Sequence, residues 1–317
     1  MGLMRMSDVK RVFVDTARNE KLHACYDPGM DKFFEVRDLS ELRDYDEIYL
    51  DSSLFPNMWG SLRELIIFYG RRVYHFSWPW IWRKLRELYR GELKRFGDLK
   101  SDHRDAWILY KFYADFRRLS RRIWFPSLKP FQEITWIDVE LKPLLIEEKA
   151  LADTLQRLRN LLRCGINAGS GAKLIDEELI RIRLRIIEKA KDVWRRFIDI
   201  ARELNLSDAD IGGLTGLAGT LTYLGWPAKN PSMHRARRYF GLYKVAREDK
   251  LKYMERTGEK FRKRYSGNAR RYLLMLTMAI SNKIGVFPPK ARHQKEVLKK
   301  LISLLKSNDS ITALRAG

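Results

Sequence analysis

Val9-Lys10-Arg11-Val12-Phe13-Val14-Asp15 sets an aspartate directly after an apolar run, and the reading of that run decides the architecture. Residues 9–14 have the length and β-branched content of a buried strand. Residues 22–26 and 33–37 repeat the pattern, and Asp27-Pro28-Gly29 supplies the turn between them. A short helix is expected over 40–45, a fourth strand over 47–51, a helix over 57–69, a strand over 73–76 and a helix over 80–96. Three strands in hairpin succession are thus followed by alternating helix and strand.

That order is expected of an RNase H-like α/β domain over residues 1–128. Two carboxylates close apolar runs of this domain, Asp15 after Val12-Phe13-Val14 and Asp51 after Ile48-Tyr49-Leu50, and could converge at the end of one sheet. Two more stand in Lys100-Ser101-Asp102-His103-Arg104-Asp105-Ala106, where the i, i+3 spacing of Asp102 and Asp105 puts them on one helix face. Ser101 as a helix cap and Asp102 as complement to the helix dipole account for part of this segment without a metal. Four carboxylates at one sheet end would repel severely unless divalent cations neutralised them. The quartet Asp15, Asp51, Asp102 and Asp105 is therefore expected to ligate Mg²⁺ (or Mn²⁺) in a two-metal phosphodiester site.

The composition points to the substrate. The 317 residues contain 62 Lys+Arg against 40 Asp+Glu, a formal charge of +22. A chain so charged repels itself unless it meets a polyanion, and the interleaving of its cations with aromatics favours nucleic acid. Residues 235–300 alone hold 20 Lys+Arg against 5 Asp+Glu, a formal +15. Cys25 and Cys164 have no metal-ligand spacing, which argues against a disulfide framework or structural zinc. The opening residues show no signal-peptide pattern and no long apolar span follows, so a cytoplasmic, intracellular protein without membrane contact is expected.

Past Pro130 the periodicity changes. Leu144, Leu151, Leu155, Leu158 and Leu162, then Ile175, Leu179, Ile182, Ile186, Ala190, Val193, Phe197 and Leu204, recur at helical spacing. A helical hairpin or coiled coil is expected over 129–205, turning at Gly165-Ile166-Asn167-Ala168-Gly169-Ser170-Gly171. A mainly α segment is expected over 206–317, with Gly216-Leu217-Ala218-Gly219 as a Gly-x-x-Gly turn between helices.

In their order and spacing, Asp15, Asp51, Asp102 and Asp105 resemble the catalytic quartet of the DEDD insertion-sequence transposases, recombinases with a RuvC-like N-terminal domain related to the Piv-type DNA invertases. Lys100-Ser101-Asp102-His103-Arg104-Asp105-Ala106 is similar to their K-(T/S)-D-x-x-D-A signature; Asp51 stands where that family usually carries Glu. Gly216-Leu217-Ala218-Gly219 resembles its helix-hairpin-helix-like turn, and Arg238-Tyr239-Phe240-Gly241-Leu242 and Gly267-Asn268-Ala269-Arg270-Arg271-Tyr272-Leu273 are similar to its further C-terminal motifs. The resemblance implies a transposase or recombinase that cleaves and rejoins DNA, a structured guide RNA, and a homo-dimer or tetramer.

It also implies a C-terminal hydroxyl nucleophile in a Ser-Gly element. Thr257, before Gly258, suits the order, whereas Ser266, before Gly267, has the matching side chain; both also read as ordinary loop hydroxyls. Arg262, Lys263, Arg264, Arg270 and Arg271, with Tyr265 and Tyr272 among them, are expected to bind phosphates and stack bases. Two further readings stay open: a Holliday-junction-type metal nuclease using water, and a domesticated nucleic-acid-binding protein without recombinase activity.

Overall fold

The computed structural model describes residues 9–17, 21–51, 55–78, 81–97, 99–119, 130–225, 232–243, 246–257, 266–285 and 288–306. The chain forms two compact units, Met1–Val139 and Glu140–Gly317.

The first unit is a mixed six-stranded sheet with helices. Its strands are β1 (Arg11–Asp15), β2 (His23–Asp27), β3 (Lys32–Val36), β4 (Glu47–Leu50), β5 (Arg72–Phe76) and β6 (Phe131–Ile134), in the order β3-β2-β1-β4-β5-β6. β1, β4 and β5 run parallel; β2, β3 and β6 pair antiparallel. Alternate side chains on β1 explain its unbroken apolar run. Val12 and Val14 enter a core with Leu39, Leu42, Ile48, Leu50, Leu62 and Leu65, while Phe13 enters the opposite core with Tyr49, Phe76, Trp107 and Phe112.

On that second face Phe13, Tyr49 and Tyr74 are register partners and stack in a cross-strand ladder, Phe13 on Tyr49 and Tyr49 on Tyr74, each with centroids 4.8 Å apart. The helix α4 (Ser101–Leu119) lies against this ladder through Tyr110 and Tyr113, both 5.5 Å from Phe13. Aromatic burial thereby fixes where the first turn of α4 falls.

The helical regions are less regular than their periodicity suggests. Residues 57–69 become a 3-10 turn, a short helix α1 (Trp59–Arg63) and a π turn (Glu64–Phe68), closed by Gly70 at φ 64°. The helix expected over 80–96 breaks into α2 (Trp82–Leu88), α3 (Arg90–Leu93) and a 3-10 turn that ends at Gly97, φ 53°. Strand β6 was not expected; its four residues follow Pro130, whose carbonyl takes bonds from Ser77 N at 2.7 Å and Ser77 Oγ at 3.0 Å.

Helix α5 (Trp136–Arg163) contains the division between the units. It is followed by α6 (Gly169–Val193), α7 (Phe197–Glu203), α8 (Ile211–Leu224), α9 (Met233–Tyr239), α10 (Arg247–Thr257), α11 (Gly267–Lys283) and α12 (Ala291–Lys306). The hairpin helices and the C-terminal helices form one unit, with α8 packed on both α6 and α11. Gly216 and Gly219 are not a turn. They lie inside α8, where a Cβ on Gly216 would meet the backbone N of Leu276 at 2.5 Å and one on Gly219 would enter the Tyr272 ring. Glycine serves close helix approach here, not chain reversal.

At the centre of this unit Glu148 is fully buried. Its carboxylate accepts from Arg183 Nε (3.0 Å) and Nη2 (2.8 Å), from Arg271 Nη2 (2.9 Å) and from Tyr272 Oη (3.1 Å). Tyr272 Oη also lies 2.6 Å from the Leu145 carbonyl. A carboxylate out of water is tolerable only with such pairing. No helix among the described residues is long and apolar enough to cross a membrane.

Candidate active site

The parallel pairing of β1 and β4 brings the carboxyl ends of both strands together. Asp15 is the last residue of β1, and Asp51 follows β4, its backbone N bonded to Val14 O at 3.0 Å. The first turn of α4 adds Asp102 and Asp105. Asp51 and Asp105 are buried, whereas Asp102 is exposed.

Electrostatics tie the four together. Burial and then the charges of Asp51, Asp105 and Asp102 push the Asp15 carboxyl up to about 8, against the opposing pull of Arg86. The sheet and α4 thus gather the expected quartet into one field.

Three of the four carboxylates also have a partner within the chain. Thr16 donates its hydroxyl to Asp51 Oδ1, with its backbone N 3.4 Å from the same oxygen. Arg86 on α2 grips Asp105 with both prongs, Nε to Oδ1 at 3.0 Å and Nη2 to Oδ2. Ser101 Oγ donates to Asp102 Oδ1 at 2.9 Å. Among the described residues no group of three or more His, Cys, Asp or Glu side chains is arranged to hold a metal ion. The donor chemistry suits a hard divalent cation, while in this arrangement Asp105 is paired with a guanidinium.

The neighbours frame the site. Lys100 turns to Glu35, Nζ to Oε1 at 2.8 Å. The buried His103 packs edge-on to Phe33 at 5.8 Å, and burial lowers its pKa. His23 Nδ1 accepts from Ala17 N at 2.9 Å and so anchors the backbone just after Asp15 and Thr16.

The C-terminal candidates are placed differently. Ser266 caps α11, its Oγ accepting from Ala269 N at 3.2 Å while its own N bonds to Tyr239 O at 3.0 Å. Thr257 is the last residue of α10, and its side chain lies outside the described residues, as do Arg262, Lys263, Arg264 and Tyr265. Arg270 is half-buried at the start of α11. Arg271 and Tyr272 are corrections to the expected phosphate surface: both turn inward to Glu148, because a buried carboxylate demands compensation more strongly than solvent does. Phe240 and Leu242 are core, and Gly241 at φ 70° ends the turn after α9.

Sequence reasoning missed Arg86 and Thr16. Thr16 is marked only by adjacency to Asp15, and Arg86 by nothing that separates it from Arg83 or Lys84. Searches against protein-family models and against curated proteins give no match.

Proposed function

We propose that the chain is a metal-dependent phosphodiester-cleaving enzyme of the DEDD transposase and recombinase class, acting on DNA with a structured guide RNA as a homo-dimer or tetramer. The observation that carries this reading is the electrostatic coupling of Asp15 with Asp51, Asp102 and Asp105 at the shared end of two parallel strands. The order β3-β2-β1-β4-β5, with its three parallel members, supports an RNase H-like domain. The formal +22 supports a polyanionic substrate.

When bound at Asp15, Asp51, Asp102 and Asp105, Mg²⁺ or Mn²⁺ would polarise the scissile phosphate and stabilise the leaving oxygen. Thr16 donates to Asp51, and the packing of Tyr110 and Tyr113 on the aromatic ladder, which anchors the helix that carries Asp102 and Asp105, supports the reading. The burial that raises the Asp15 pKa also excludes water that would screen these charges. Thr257 or Ser266 is the candidate protein nucleophile. The capping bond of Ser266 favours a second reading in which water attacks and the product is a simple cut.

The test uses full-length protein with a nicked DNA substrate and Mn²⁺. Asp15→Asn and Asp102→Asn should each abolish cleavage, by at least about a hundredfold. A covalent protein–DNA adduct lost in Thr257→Ala or Ser266→Ala identifies the nucleophile. Metal-dependent cleavage without an adduct assigns water, and cleavage indifferent to chelator overturns the proposal.

A further inference from the structure

Arg86 enters the carboxylate site from solvent. Its side chain is 54% exposed, whereas that of Asp105, which it grips, is 9% exposed. The guanidinium also sits over the Trp82 ring at 5.8 Å, so its approach is guided from one side by an aromatic face on its own helix. Its attraction extends beyond Asp105 to Asp15 and Asp102. Arg86 therefore acts as the counter-ion of Asp105, Asp15 and Asp102 rather than as one half of an isolated pair.

A guanidinium gripping both oxygens of Asp105 occupies the donors a divalent cation needs. Carboxylate and phosphodiester offer the same planar fork geometry to arginine, and the half-exposed Arg86 can exchange one for the other at little cost in packing. We propose that Arg86 is a phosphate-released latch: it holds Asp105 until a nucleic-acid phosphodiester takes the guanidinium, and only then is Asp105 free to ligate metal. The idea rests on the metal-site reading above. It makes metal and nucleic acid bind cooperatively, each strengthening the other by the same factor, and it keeps the site from loading metal without substrate.

The test measures Mn²⁺ affinity of the full chain by electron paramagnetic resonance of free Mn²⁺, with and without a short phosphorothioate DNA duplex that resists cleavage. Wild type should bind Mn²⁺ weakly alone and about tenfold more tightly with the duplex, an ordinary coupling strength. Arg86→Gln should bind Mn²⁺ about tenfold more tightly than wild type without DNA and gain nothing further from the duplex. Arg86→Lys, which keeps the charge but loses the fork, should fall between them, and it serves if the glutamine variant does not fold. Wild-type binding that Asp105→Asn abolishes, with unchanged affinity in the Arg86 variants, overturns the latch and leaves the metal site standing. Absence of Mn²⁺ binding in every variant, with or without duplex, overturns both.

Discussion

Asp15 gathers the consequences of the site in one side chain. Its carboxyl titrates near 8 in the folded chain, far above the usual carboxylate value of 3.8. An acid with a raised folded pKa is ionised first in the unfolded state, so it withdraws stability as pH climbs from the unfolded value toward the folded one. Metal-free protein should therefore lose the Asp15 contribution between pH 4 and pH 8 and lose no more above that. Asp15→Asn should flatten this part of the profile, as read from denaturant midpoints at stepped pH in chelator. A slope unchanged by the substitution would remove Asp15 from the carboxylate cluster.

Among the elements, α8 shows most directly how packing overrides local expectation. Glycine three residues from glycine reads as a turn in isolation, yet Gly216 and Gly219 form the face on which α11 rests. Gly219→Ala drives a methyl into the Tyr272 ring, whose hydroxyl is already committed to Glu148 and Leu145, so the ring cannot retreat freely. It should cost about 1–3 kcal/mol by overpacking, seen as a lowered denaturant midpoint with unchanged slope. Gly267→Ala, where a Cβ meets nothing within 4 Å, is the control and should be near neutral.

Another element-scale expectation concerns α12. Val297, Leu298, Leu301 and Leu305 are buried, while Arg292, Lys295, Lys299 and Lys306 recur at helical spacing on its other side. This face should make phosphate contacts. Replacing Lys295, Lys299 and Lys306 with Gln should reduce the slope of log affinity against log salt for duplex DNA by about three. An unaltered slope would move the phosphate contacts elsewhere.

At the scale of the whole molecule, the acidic cluster and most of the basic excess fall in different units. The first unit carries the carboxylates, and the C-terminal segment carries most of the excess positive charge, +15 of the +22 falling within residues 235–300. Under the proposed function, a polyanion would approach the carboxylates only where cations compensate it. Arg86 is such a cation in the first unit. In the second, Arg183 and Arg271 are spent on Glu148, so part of the charge counted in the sequence stabilises the fold instead of binding a partner.

By itself the sequence determined five of the six strands, with ends within about two residues. Short apolar runs bounded by turn residues are a local property, and they placed β1 to β5 and left Asp15 and Asp51 at strand ends that the parallel pairing then brought together. The i, i+3 spacing likewise put Asp102 and Asp105 on one face of α4. Tertiary structure alone decided which partner each charge took. Arg86 meets Asp105 across 19 residues only because α2 docks beside α4, and Arg271 meets Glu148 across 123 residues only because α11 packs in the second unit. Periodicity records whether a residue faces a core. It holds no record of which opposite charge waits there, because that choice is made by desolvation once the elements have packed.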